Sequence, residues 1–193
     1  MNTRFEREQI RLREEVLNAA LNIAASDGWS AVSVRGIADR IEYSTTKVYE
    51  LFKNKNEIVL ELLRRGFSLL TEQLEQVREA NIPPVEKATS LAVTYCRFAW
   101  EHDVYYRIMY GMDGVPFGVA ETWQEGMHIG KICSAILKEY LPDYRDTEIE
   151  EAVHACWGTL HGLASLYLSG RMYTEREQVE RLAVQSVMAI VHK

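Results

Sequence analysis

Ser33 to Lys55 reads SVRGIADRIEYSTTKVYELFKNK, and this run decides how the whole chain is read. Ser33 suits an N-cap, because its hydroxyl can accept from the free N–H groups of a first helical turn. Val34, Ile37, Ala38 and Ile41 follow at helical spacing and mark one apolar stripe. The pattern breaks at Glu42 and Tyr43. Ser44 offers a second N-cap, and Val48, Leu51 and Phe52 form a second stripe. Two short helices joined by a three- or four-residue turn predict a helix-turn-helix.

The second helix carries Ser44, Thr45, Thr46, Lys47 and Tyr49 on its other face. Small hydroxyls, a cation and a phenol at the N-terminal end suit the part of a recognition helix that reaches phosphates and base edges. Lys53 and Lys55 fall where a following helix begins, so their ammoniums and the N–H groups there suit a phosphate. Ser33 and Arg35, at the start of the first short helix, complete the candidate DNA-binding set. The competing reading is two surface helices with a solvated polar face.

Gly28-Trp29, Val32-Ser33-Val34, Ile37-Ala38, Ser44, Val48-Tyr49, Phe52, Lys55 and Glu57-Ile58 stand at fixed spacing over the first third of the chain. In these residues the run resembles the DNA-binding domain of the TetR family of bacterial transcriptional regulators. It departs from the family where Glu42 replaces the turn glycine, Thr46 replaces a second glycine, and Lys47 replaces a common threonine. A second resemblance lies in Trp157, His161 and Gly162, which look like the W…HG motif of one class of TetR-family C-terminal domains. The resemblance implies a homodimeric regulator, a double-stranded DNA operator and a small-molecule effector.

Composition fits an all-α protein in a reducing cytoplasm. The chain has 193 residues, 47% of them hydrophobic and 26% charged, with only 4 prolines and no β-type alternating run. No apolar run is long enough for a membrane span, and no signal peptide is visible. Cys96, Cys133 and Cys156 are widely spaced, which argues against a disulfide scaffold and for buried small hydrophobes. The net charge of −6 is unusual for a DNA binder. Residues 1–55 hold 9 basic and 8 acidic side chains, however, against 13 and 20 in the remainder, so any positive field must be local.

About nine helices are expected, in a DNA-binding domain over 1–55 and a ligand-binding and dimerisation domain over 56–193. The first helix runs to a C-cap at Gly28. Its Arg4, Arg7, Arg11 and Arg13 alternate with glutamates and read mainly as a solvated face, with Arg4 and Arg7 retained as phosphate candidates. Asn54 and Glu57 predict the cap of a long fourth helix reaching about residue 79, with Gly66 inside it. Pro83-Pro84 predicts a linker, followed by helices over 85–102, 104–111 and roughly 118–140, with a loop at Asp113, Gly114 and Pro116. Thr147/Glu150 and Thr174/Glu177 read as capping boxes for the last two helices. Their surplus apolar surface predicts a four-helix dimer bundle through Leu160, Tyr167, Val179, Leu182, Val187 and Ile190.

Tyr95, Phe98, Met109, Met112, Trp123, Met127, Trp157 and His161 come from separate helices. If they converge they line an apolar effector pocket; otherwise they are core. Glu150, His154, Cys156 and His161 do not have the spacing of a tight metal site. With no nucleophile elbow, phosphate loop or paired carboxylates, the reading is no enzyme, no metal and no cofactor. The expectation is a ligand-responsive repressor that binds a pseudo-palindrome as a dimer. The alternatives are a helical small-molecule-binding adaptor without specific DNA recognition, and a metal-dependent helical enzyme using His154 and His161.

Overall fold

The computed structural model describes residues 3–112 and 119–192, and all regular structure among them is helical. The loop expected at Asp113, Gly114 and Pro116 lies outside the described residues. The elements are α1 (Arg4–Asp27), a 3-10 turn (Trp29–Ala31), α2 (Val34–Arg40), α3 (Thr45–Tyr49), α4 (Lys55–Glu79), α5 (Pro84–Glu101), α6 (Asp103–Met109), α7 (Val119–Tyr140), α8 (Asp146–Leu168) and α9 (Arg176–Val191). No described helix is long and apolar enough to cross a membrane.

The chain packs as two compact units. One comprises residues 1–66 and 107–121, the other 67–106 and 122–193. In the first, α1 buries Leu12, Val16, Leu17, Ala20 and Ile23 at helical spacing. The 3-10 turn and α2 pack on α1, and α3 packs on α2. Ile37, Ala38, Val48, Phe52, Ile58, Val59 and Leu62 fill the space between. In the second unit α5, α8 and α9 pack on one another. Arg97 of α5 makes two 2.8 Å bonds to Glu180 of α9. The buried Lys87 ammonium of α5 is held by both carboxylate oxygens of Glu139 on α7 at 3.1 and 2.9 Å.

Helix ends explain most boundaries. Thr3 and Glu6 form a capping box that starts α1. Gly28 ends it with φ 80° and ψ 165°, a region open to glycine and outside the left-handed helical one common at C-caps. Asn54 Oδ1 accepts from the Glu57 N–H at 3.0 Å and opens α4, while the Glu57 carboxylate accepts from the Lys53 N–H at 2.6 Å. Pro84 opens α5 at its first position. Two expected boxes are displaced. At α8 the reciprocal partner is Glu148, which accepts from the Arg145 N–H at 2.8 Å, so the helix starts at Asp146 ahead of Thr147. At α9 the N-cap is Glu175, with no side-chain cap bond, in place of Thr174.

The turn between α2 and α3 is the strained point of the first unit. Glu42 has φ 59°, the one positive φ at a non-glycine among the described residues. The N–H of Tyr43 bonds to the Ala38 carbonyl at 3.0 Å and that of Glu42 to Asp39 at 3.4 Å. This is a Schellman ending with glutamate where glycine is favoured. An L-residue there costs about 1–2 kcal/mol, partly offset by its lower entropy when unfolded, about 0.4–1 kcal/mol. Glu42→Gly is therefore expected to stabilise the first unit by up to about 1 kcal/mol. A thermal midpoint that falls would refute this account of the turn.

Candidate nucleic-acid interface

Two serines set the geometry of the helix-turn-helix. Ser33 Oγ accepts from the Gly36 N–H at 3.0 Å and Ser44 Oγ from the Lys47 N–H at 3.3 Å. As caps these hydroxyls accept one bond each and aim the helices, and each keeps its O–H to donate. Thr45, Thr46 and Tyr49 are exposed on α3, Tyr49 at 54%, and the helix turns inward only at Val48 and Phe52. The structure thus brings Ser44, Thr45, Thr46, Lys47 and Tyr49 together on one short, open helix.

The cations divide. Lys47 pairs with Glu50 on its own helix, and Arg35 lies 3.9 Å from Asp39 with its side chain 88% exposed. Such exposed intrahelical pairs contribute little and exchange readily for a phosphate. Lys53 is exposed at the mouth of α4. Lys55 differs from expectation, because its ammonium donates to the Trp29 carbonyl at 3.2 Å and ties α4 to the turn after α1. The N-terminus of α4 also carries the Glu57 carboxylate on the Lys53 N–H, so its first donors are already engaged. Arg4 and Arg7 lie on the exposed start of α1, and Arg11 pairs with Glu8 and Glu15 as a solvated face. That Arg11 pairing holds the Glu8 carboxyl below its ordinary range.

The residues expected to line an effector pocket separate. Tyr95 and Phe98 lie in the core of the second unit, whereas Trp123, Met127 and Trp157 are 55%, 43% and 49% exposed. Core packing claims the first two because the inner face of α5 is fully enclosed; α7 and α8 turn the others outward. Met109 is buried in the first unit and Met112 half-buried there.

A polar chain threads the second unit instead. The Tyr95 and Tyr106 hydroxyls lie 3.3 Å apart, the Tyr106 hydroxyl is 2.7 Å from His161 Nδ1, and His161 Nε2 is 3.4 Å from Ser165 Oγ. Burial pushes the His161 pKa below its ordinary value. The Tyr106 and Ser165 hydroxyls can each donate or accept, so the chain accommodates either tautomer of the ring. Tyr106 and Ser165 carried no signal beyond helical spacing. A separate open groove of about 420 Å³ runs between α4 and α5, lined by Gln73, Gln76, Ser90, Thr94 and Arg97 among others.

The dimerisation set also divides. Leu160, Val179 and Val187 are at most 1% exposed, inside the protomer. Tyr167 packs edge-on against Trp100 at 5.5 Å, and Leu182 and Ile190 are half-buried. The stripe on α8 and α9 is wide because α5 covers one part of it. The other part leaves Ala155, Trp157, Gly158, Leu166 and Ala189 exposed.

Among the described residues no three His, Cys, Asp or Glu side chains are grouped to hold a metal. His154 and Glu150 are exposed, while His161 is committed to Tyr106. Burial pushes the thiols of Cys96 and Cys133 up to about 12 and that of Cys156 to about 11, so all three stay protonated at neutral pH.

Known proteins share this arrangement. The chain is 34% identical over 79 residues to the HTH-type transcriptional repressor KstR2 of Mycolicibacterium smegmatis, a match covering 41% of this chain and 38% of that protein. It is 23% identical over 136 residues to KstR of the same species, covering 70% and 66%. The chain therefore aligns with less than two thirds of the length of these relatives. The structure of a protein of unknown function from Rhodococcus sp. RHA1 has the same fold, with a TM-score of 0.78 at 23% identity over 92% of this chain and 94% of that one. The family model for bacterial regulatory proteins of the tetR family matches residues 16–62, across the helix-turn-helix. The model for the tetracyclin repressor-like C-terminal domain matches residues 88–189, more than half of the chain. On these two matches, and on a fold that places α3 open to solvent on a capped turn, the chain belongs to the tetR family of bacterial regulatory proteins.

Proposed function

We propose that this protein is a DNA-binding transcriptional repressor that works as a homodimer in the cytoplasm. The observation that carries the reading is α3, whose Thr45, Thr46, Lys47 and Tyr49 face outward while Val48 and Phe52 anchor it. Two copies would read successive major grooves of a pseudo-palindrome, about 34–36 Å apart. The functional division falls at residue 55, with residues 1–55 reading DNA and residues 56–193 binding effector and partner. A small apolar or amphipathic effector binds in the second unit and releases the DNA; the Tyr95–Tyr106–His161–Ser165 chain there offers hydroxyl and imidazole groups within an apolar core. It acts by binding the DNA-incompetent state more tightly, since equal affinity for both states shifts nothing.

The test is selection of a random duplex pool by the full-length protein, with affinity followed against salt. A palindromic site with a steep salt slope is expected. Tyr49→Ala should then weaken binding to the selected site by about 1–3 kcal/mol with the melting temperature unchanged. If no sequence is enriched and binding stays weak at low salt, the chain is a helical small-molecule-binding adaptor instead. That second reading is favoured by the exposed Glu42 carboxylate beside α3.

A further inference from the structure

Arg13 departs from its neighbours on α1. Arg11 pairs within the helix, with Glu8 and Glu15, but Arg13 reaches across to residues 38 and 48 positions away. Its Nη1 donates to the Leu51 carbonyl at 2.9 Å, at the end of the turn that closes α3. Its Nε lies 3.4 Å from Glu61 Oε1, and its Nη2 donates to Glu61 Oε2. The guanidinium carbon sits 4.0 Å above the centre of the Phe52 ring. One planar group thus meets a backbone carbonyl, a carboxylate and an aromatic face at once, which lysine cannot do.

The partner carboxylate is itself fixed. Glu61 Oε1 accepts from Arg65 Nη2 at 3.1 Å, and Arg65 makes two 2.7 Å bonds to Glu14. Pairing with Arg65 holds the Glu14 carboxyl below its ordinary range. Arg13 and Glu14 of α1 therefore interlock with Glu61 and Arg65, one turn apart on α4. All six residues belong to the first unit. Lys47 and Glu50 pair within α3 itself, and Phe52 anchors its end by burial beneath the guanidinium; burial by itself does not fix rotation about the ring.

We infer that Arg13 is the positioning residue of α3: its guanidinium locks the C-terminal end of that helix to α4 through Glu61 and so sets the angle at which the exposed face is presented. This rests on the reading of α3 as the helix that meets DNA. A five-residue helix has too little buried surface to hold one orientation by packing, whereas a forked, part-buried charge contact is directional. Arg13 acts on the helix and not on the ligand, because its donors are turned to Leu51 and Glu61.

Two variants of the full chain, Arg13→Gln and Arg13→Lys, test it by amide hydrogen exchange and by binding. The N–H groups of Glu50, Leu51 and Phe52, which bond to Thr46 and Val48, should exchange about tenfold faster in both variants, while those of α2 keep their rates. Glu61→Gln should reproduce the change, and the Arg13→Gln/Glu61→Gln double variant should add little to it. On duplexes, the ratio of affinities for the selected site over a random one should fall about tenfold with the salt slope unaltered, since no phosphate contact is removed. A merely stabilising residue would change both affinities by the same factor. Unchanged exchange at Glu50 to Phe52 overturns the inference, as does an affinity ratio equal to that of the unaltered protein. If Arg13→Gln does not fold, Arg13→Lys decides by the same readouts. If the unaltered protein selects no duplex, the DNA reading fails, and the exchange rates still decide whether Arg13 holds α3.

Discussion

Phe52→Ala is expected to cost about 3–5 kcal/mol and to abolish operator binding. The ring is 1% exposed, lies beneath the Arg13 guanidinium, and together with Val48 supplies the anchor of α3. Removing it leaves a ring-sized space that a unit held by short helices cannot close. Single domains have only about 5–15 kcal/mol in total, so most of the first unit's margin disappears. In the second unit α5, α8 and α9 pack on one another around a core of their own. Thermal unfolding should therefore split, with an early transition for the DNA-reading unit and a late one near the original midpoint. Phe52→Leu should recover most of the early transition, since it refills part of the volume. One transition at the unchanged temperature would show that Phe52 is not the anchor and that α3 is held from elsewhere.

The contrast between Phe52 and Arg13 shows what a sequence can disclose. Val48 and Phe52 are four residues apart, and the stripe they form is local, as are the caps Ser33, Ser44 and Asn54. Short-range rules found each of them because both partners of every interaction lie within one turn. Arg13 was read as solvated, since its glutamate neighbours are interleaved along the same helix. Its true partner is Glu61, 48 positions on, and no local pattern links the two. Lys87 and Glu139, 52 positions apart, were invisible for the same reason. Lys55 shows a third case. Its placement at the start of α4 was legible, whereas the Trp29 carbonyl that its ammonium meets lies 26 positions away, beyond any local pattern. The aromatic set is a different case. Tyr95 and Trp157 are each well placed on a helix, but convergence depends on how helices rotate about their axes, which spacing does not encode.

Rotation also divides the apolar stripe of α8 and α9, and it leads to the second large effect. Gly158→Arg is expected to turn the dimer into a monomer and to lower operator affinity by about 10²–10⁴-fold, the advantage of engaging both half-sites together. The apolar stripe of α8 and α9 is wider than one neighbour needs. Leu160, Val179 and Val187 serve the protomer's own core, so charging Val187 would damage folding and reveal nothing about association. Gly158 is the cleaner probe. A Cβ there meets nothing within 4 Å in the protomer, and neither does one at Gly162, one turn on. Arginine is also the better helix former, by about 0.8–1 kcal/mol over glycine, so the isolated helix gains. Small residues at Ala155, Gly158 and Ala189, flanked by the exposed Trp157 and Leu166, allow close approach of a second pair of helices. A guanidinium placed in that contact would be buried without a partner, which costs several kcal/mol. Gly158→Ala adds one methyl group and should keep the dimer. Sedimentation of Gly158→Arg as an intact dimer would move the interface off α8. A monomer that still binds the full palindrome with undiminished affinity would instead break the link between association and two-site reading.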